Sequence, residues 1–385
     1  MRASVVLSAL VAVLVGFAGS VAVILAAADA VGADARQTES WIGVLCIAMC
    51  VTSAMLSVRY RMPIVTAWST PGAALIATTS GISMHAAVGA FILAALLILA
   101  TALIRPLGSL VARIPTAIAS AMLAGVLFAF VVALVPQASG LPALVLPLIA
   151  GFVILRLISP FGAVLIVLAV GMALSHLLGL AGPLPALSVT QFAVIAPIFD
   201  PQTLIGLALP LYLVTMASQN LPGLAVLRGD GYDPPVSAAL GVTGLASLAS
   251  APFGGHTSNL AAITASICTG PDAHPDPEQR WLCGPFYAAG YAGLALIGGW
   301  VVAVFASYPD ALIITVAGLA LIGPLVASLS ASLANDADRF AAIATFVVAA
   351  SGISAWGIGA AFWGLVAGLL VHACETAFRH LRQDG

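Results

Sequence analysis

Residues Gly254 to Asn259 place two glycines, an imidazole, two hydroxyls and an amide side by side, within the run FGGHTSNLAAIT (Phe253–Thr264). These neutral groups donate hydrogen bonds without carrying a fixed charge, which suits recognition of an anion. A second cluster, Thr66-Ala67-Trp68-Ser69-Thr70-Pro71-Gly72, sets hydroxyls and an indole ahead of a Pro-Gly break. A third lies in LPLYLVTMASQNLPG, where Tyr212, Thr215 and Gln219 are three and four residues apart and Asn220 follows. That spacing predicts one shared helix face.

The rest of the chain is hostile to such groups. Of 385 residues, 62% are hydrophobic and only 7% are charged, so most of the chain must lie in lipid. Lipid offers the backbone no hydrogen bonds, and irregular polar sequence survives there only when buried in protein or lining a cavity. The 14 acidic residues fall in predicted loops, ends or tails, with Glu375 at the end of the last crossing. A cation site built from carboxylates is thereby disfavoured. The five cysteines, Cys46, Cys50, Cys268, Cys283 and Cys374, show no ligand spacing, so neither a metal nor any other cofactor is expected. A net charge of -2 without a basic run points away from nucleic acid.

Pro71–Gly72 and Gly254–Gly255 are expected to begin two half-helices whose free N–H groups face one cavity. Each helix start carries about half a positive charge, so two of them could hold one carboxylate without an arginine. Thr70, Thr257 and Ser258 would add hydroxyl donors. His256 is the candidate for proton coupling: an anion beside a neutral imidazole attracts its proton by roughly 4 kcal/mol at 4 Å and an effective dielectric near 20. Proton and anion would then bind cooperatively, and such coupling is reciprocal. In the simpler reading His256 is a hydrogen-bond donor only.

Positioning these clusters requires many crossings of about 20 residues each. Charges, prolines and glycines divide the chain into about fourteen, at 4–28, 41–58, 63–80, 85–104, 114–135, 142–158, 161–180, 202–227, 235–252, 254–268, 284–306, 309–333, 340–356 and 357–376. Ala3–Ala28 is far longer than the apolar part of a cleaved signal, roughly 7–15 residues, and is expected to stay as the first helix. Leu157–Phe199 is long enough for two crossings. The chain has no lysine, and with the N-terminus inside every arginine except Arg36 falls on the inner side, as the positive-inside rule requires. Both termini are thus expected in the cytoplasm. Fourteen crossings divide into two inverted sevens, with segments 3 and 10 as the paired interrupted spans that mark a transport site. The expected class is an all-α polytopic membrane protein whose partners are the lipid bilayer and a small anion.

TAWSTPGAALI (Thr66–Ile76), LPLYLVTMASQNLPGL (Leu209–Leu224), GYDPP (Gly231–Pro235), APFGGHTSNLAAITASIC (Ala251–Cys268) and GPDAHPD (Gly270–Asp276) resemble the benzoate/proton symporter (BenE) family along essentially the whole chain. The resemblance implies a bacterial inner-membrane carrier that imports benzoate or a related aromatic carboxylate with protons. It also implies the fold of nucleobase, ascorbate and sulfate-type carriers. In that fold a core domain (segments 1–4, residues 1–104, and 8–11, residues 201–308) slides against a gate domain (segments 5–7, residues 105–200, and 12–14, residues 309–385). A homodimer is a fold-level expectation.

Substrate in that fold lies between segments 3, 8 and 10. The implied binding residues are Thr66, Trp68, Ser69, Thr70, Gly72, Tyr212, Gln219, Asn220, Phe253, Gly254, Gly255, His256, Thr257, Ser258 and Asn259. Where nucleobase carriers place acids in segments 8 and 10, this chain offers Gln219 and Asn259, which favours an anion. Phe17, Trp68, Tyr212 and Phe253 are the candidates for a ring pocket. The alternatives are an uncoupled organic-anion channel, or a carrier of another small anion, on the same fold. An intramembrane enzyme is disfavoured, because His256 and Ser258 are two apart and no acid orients the imidazole.

Overall fold

The computed structural model describes residues 3–104, 115–158, 162–356 and 358–383. Arg2, Arg105, Arg113, Asp384 and the expected starts of the fifth, seventh and fourteenth segments at 114, 161 and 357 lie outside the described residues. The side chains of Arg379 and Arg382 do so too.

Helices α1 (Ala3–Ala18) and α2 (Val21–Ala30) form one apolar span interrupted at Gly19-Ser20. Asp34 then caps α3 (Ala35–Tyr60) reciprocally: its side chain accepts from the Gln37 N–H, and the Gln37 side chain accepts from the Asp34 N–H. Ser69 caps the short α4 (Thr70–Ala77), and Ser83 caps α5 (Met84–Leu103). Next come α6 (Thr116–Gly140), α7 (Pro142–Ile158), α8 (Ala163–Leu177) and α9 (Pro201–Gly229). The remaining helices are α10 (Val236–Ser250), α11 (Ile263–Thr269), α12 (Cys283–Ala306), α13 (Asp310–Ser332), α14 (Arg339–Ala350) and α15 (Ala360–Gln383). Among the described residues, nine helices are long and apolar enough to cross a membrane, and α7 and α8 are shorter apolar helices.

The expected all-α architecture has one exception, and it lies where the polar clusters are. Strands β1 (Thr66–Trp68) and β2 (Ser258–Leu260) pair antiparallel, with Thr66 opposite Leu260, Ala67 opposite Asn259 and Trp68 opposite Ser258. Side chains of flanking helices satisfy their outer edges. The Ser53 hydroxyl accepts from the Thr66 N–H at 3.0 Å, and the Tyr287 hydroxyl donates to the Thr66 carbonyl at 2.9 Å. Ser247 accepts from the Ser258 N–H at 2.8 Å, and the Asn220 side chain accepts from the Leu260 N–H at 3.0 Å.

Two expectations about crossings need correction. Gly254-Gly255 does not begin a helix. Gly254 takes a left-handed conformation (φ +92°) that ends a 3-10 turn, and the chain then runs extended into β2, so α11 starts only at Ile263. The stretch Leu157–Phe199 holds α8 and then a long non-helical strap rather than two helices. The strap bonds to neighbours through Gly182 to Ser307, Thr190 to Leu296, Ile195 to Pro252 and Ile198 to His85. Thr190 sits in a notch that only small residues permit, since a Cβ on Gly43 would come within 2.5 Å of its methyl group.

Packing separates the helices into two sets. α3 lies along α12, α10 along α5, α2 along α4, and α1 against α11 and α12. In the second set α13 and α14 pack on α6, α14 on α15, and α7 on α8. The sets meet where α4 touches α6, α1 touches α8 and α2 touches α13.

Replacing Asn220 by leucine would strip the Leu260 N–H of its partner inside the apolar interior. The expected cost is about 1–3 kcal/mol, read as a lower Tm of the purified, ligand-free protein in detergent. An unchanged Tm would show that β2 does not depend on that bond.

Candidate functional site

Between the two helix sets lies a cavity of about 340 Å³, toward the lower end of small-ligand pockets, roughly 300–1,000 Å³. Both broken segments reach it. From the first come Ala67, Trp68, Thr70 and Pro71, and from the second Ala261, Ala262 and Thr264. α9 contributes Gln219, α12 contributes Tyr291, and α13 contributes the turn from Leu319 to Pro324. Phe152 and Arg156 of α7 complete the wall facing the strands.

The donors in this cavity differ from those the sequence suggested. At α4 the helix start is largely spent, because Pro71 has no N–H and Gly72 donates to the Ser69 hydroxyl at 3.0 Å. At α11 the cap residue is Ala262, which has no side chain to offer, and the N–H groups of Thr264 and Ala265 donate to no group among the described residues. Such orphan donors and the dipole behind them attract negative charge.

One wall is aromatic. Trp68 is fully enclosed; its indole N–H donates to Ser20 at 2.8 Å, and its ring meets Phe17 and Tyr291 edge-on, both with centroids 5.8 Å away. Phe17, a candidate for the ring pocket, thus packs on Trp68 and does not itself line the cavity. The other two ring candidates lie elsewhere. Tyr212 hydrogen-bonds Thr101 of α5, and Phe253 packs edge-on against Phe192 of the strap. Sequence reasoning missed Phe152 and Tyr291. Phe152 and Arg156 are four apart, a spacing that puts them on one face of α7, but no motif in the sequence marks that face.

The histidine cluster is brought together, but as a scaffold behind the cavity. His256, Thr257, Ser258 and Asn259 are fully buried. Trp41 can only donate, so its indole N–H at 3.0 Å makes His256 Nδ1 the acceptor. The Ser69 carbonyl can only accept, so Nε2 carries the proton and donates to it at 3.0 Å. The imidazole is therefore neutral with both nitrogens engaged, and a second proton on Nδ1 would set two donors face to face. Thr215 joins the same knot, bonding Thr257 at 2.7 Å and Ser69 at 3.2 Å.

Tyr212, Thr215 and Gln219 do not act as one face, because a π-helical turn at Met216–Asn220 changes the register between Thr215 and Gln219. Gln219 reaches the cavity, and its side-chain oxygen lies 3.4 Å from the Asn259 amide nitrogen. Of the expected binding residues, Trp68, Thr70 and Gln219 line the cavity. Thr66, Ser69, Gly72, Asn220 and His256–Asn259 build the frame behind it, and Tyr212, Phe253, Gly254 and Gly255 pack elsewhere.

Broken spans meeting at a cavity between two sets of apolar helices define a polytopic membrane transport protein. Solved structures share the fold. SLC26A9 aligns with a TM-score of 0.66 and 13% identity over 97% of this chain and 65% of that chain, so this chain spans slightly under two thirds of it. The transmembrane domain of a cyanobacterium bicarbonate transporter, BicA, aligns with a TM-score of 0.60 and 15% identity over 98% of both chains. The family is then specific: residues 1–374 match the benzoate membrane transport protein family, and the chain belongs to it. The benzoate membrane transport protein of Acinetobacter baylyi (strain ATCC 33305 / BD413 / ADP1) is 35% identical over 371 residues, covering 96% of this chain and 94% of its own length. The inner membrane protein YdcO of Escherichia coli (strain K12) is 38% identical over 367 residues, covering 94% and 93%.

Replacing His256 by phenylalanine would keep a ring but orphan the Trp41 N–H and the Ser69 carbonyl. The expected loss is on the order of 1–3 kcal/mol for each group left unpaired, measured by thermal denaturation. Wild-type stability in this variant would remove His256 from the scaffold.

Proposed function

We propose that the chain is a secondary active carrier that imports benzoate or a closely related aromatic carboxylate together with protons. What carries this proposal is a cavity whose described lining holds no carboxylate and has one aromatic wall, in a chain of the benzoate membrane transport family. The carboxylate would lie toward Thr264 and Thr70, and the ring against Trp68, Tyr291 and Phe152. The solved transporters of this fold agree with a negatively charged solute, one being titled an anion transporter and the other a bicarbonate transporter.

Fourteen crossings in two inverted sevens follow if the two broken segments, α7, α8 and α14 complete spans beside the nine long helices. Residues 1–104 with 201–308 would form the core domain, and 105–200 with 309–385 the gate, a division consistent with the two packed sets. Both termini would be cytoplasmic in a bacterial inner membrane, as the arginine bias favours. The cavity reaches the Arg156 end of α7, so this conformation would be the one open to the cytoplasm. His256 remains the candidate for proton coupling, on a stated condition. It would take a second proton only by giving up the bond from Trp41, which would make proton uptake a rearrangement of the scaffold rather than a local event.

Proteoliposomes at neutral internal pH are expected to accumulate labelled benzoate when the outside is acidified, and a protonophore should abolish the accumulation. Accumulation that survives the protonophore would reject proton coupling and favour uncoupled conduction. Gly323 lines the cavity with open space where a Cβ would stand. Gly323→Phe should therefore fill the cavity, eliminating benzoate uptake while leaving Tm within a few degrees of wild type. Normal uptake in this variant would move the substrate elsewhere.

A further inference from the structure

Arg156 lies in the last turn of α7, and its side chain lines the cavity. No other described lining residue carries a formal charge. The guanidinium makes no hydrogen bond, ion pair or ring contact with any described residue. Its five donors thus meet no described group, and their planar fork matches a carboxylate. One turn earlier on the same face, the buried Phe152 ring lines the cavity's interior. α7 thus presents an apolar ring to the interior and a cation beside it, a pattern that fits an aromatic acid.

We propose, resting on the carboxylate transport proposed above, that Arg156 determines specificity by engaging the substrate's carboxylate from the gate side of the cavity. A carboxylate in the cavity meets this guanidinium, whereas a neutral aromatic of the same shape does not. An arginine that served only the lipid headgroups at the end of α7 would leave substrate binding untouched.

The test is benzoate binding to purified full-length protein in detergent, at low and high salt, for wild type, Arg156→Gln and Arg156→Lys. Arg156→Gln should weaken benzoate about tenfold at low salt, the scale of a lost charge-assisted bond. It should also flatten the salt dependence seen in wild type, because the screened attraction is gone. Arg156→Lys should keep the salt dependence with intermediate affinity, and it carries the test if the glutamine variant does not fold. Unchanged affinity in Arg156→Gln would overturn the assignment and leave the guanidinium to the headgroups. Weakened binding with the wild-type salt dependence would overturn it too, since packing alone would then explain the loss. A wild type that binds no benzoate would take down the proposed function, and this assignment with it. A wild type that binds while the glutamine variant binds equally would fail this assignment alone.

Discussion

The pairing of β1 with β2 is the constraint from which the site follows. Extended backbone within a membrane must find partners inside the protein for each N–H and carbonyl. Here two three-residue strands answer one another, while Ser53, Ser247, Asn220 and Tyr287 supply the edges. The pairing fixes where α4 and α11 begin, because each helix starts within a few residues of its strand. Two chain breaks that would be costly alone become a rigid cross-piece together.

That cross-piece is unevenly satisfied. Behind it, Ser69, Thr215 and Thr257 bond one another and the Ser69 carbonyl accepts from His256, while the buried Ser258 hydroxyl and Asn259 side-chain oxygen meet no partner among the described residues. In front, the alanine at the head of α11 leaves the Thr264 and Ala265 N–H groups without a partner among the described residues, and Thr264 lines the cavity. A serine or aspartate at Ala262 would have capped the helix and cancelled the attraction. The missing cap leaves backbone donors unpaired at the head of α11, while the polar side chains keep the frame in shape.

Much of this was legible in the sequence. Hydropathy located the long helices, and Pro71 and Gly254 marked the breaks. The motifs from Thr66 to Asp276 identified the family. What was not legible is the difference between a polar residue that faces a ligand and one that holds the frame. Gly254-Gly255 has the composition of a helix start, yet the left-handed turn at Gly254 sends the chain into a strand, which depends on β1 being alongside. His256 looks like a ligand-binding histidine until Trp41 and Ser69 are seen to occupy both nitrogens. Tyr212 and Gln219 share a helical spacing that a π-helical turn annuls. Phe152, Arg156 and Tyr291 come from helices with no motif, and only tertiary packing assembles them.

The strap after α8 bears on how far the proposed sliding of the two helix sets could go. Helix α8 ends at Leu177, and the strap is already fastened at Gly182, whose N–H donates to the Ser307 carbonyl at the end of α12. Five residue steps of extended chain reach at most roughly 18 Å. If the two helix sets slide as proposed, that short leash would cap the stroke at this end of α8, and a larger excursion would need tilting about the tethered end or unzipping of the strap.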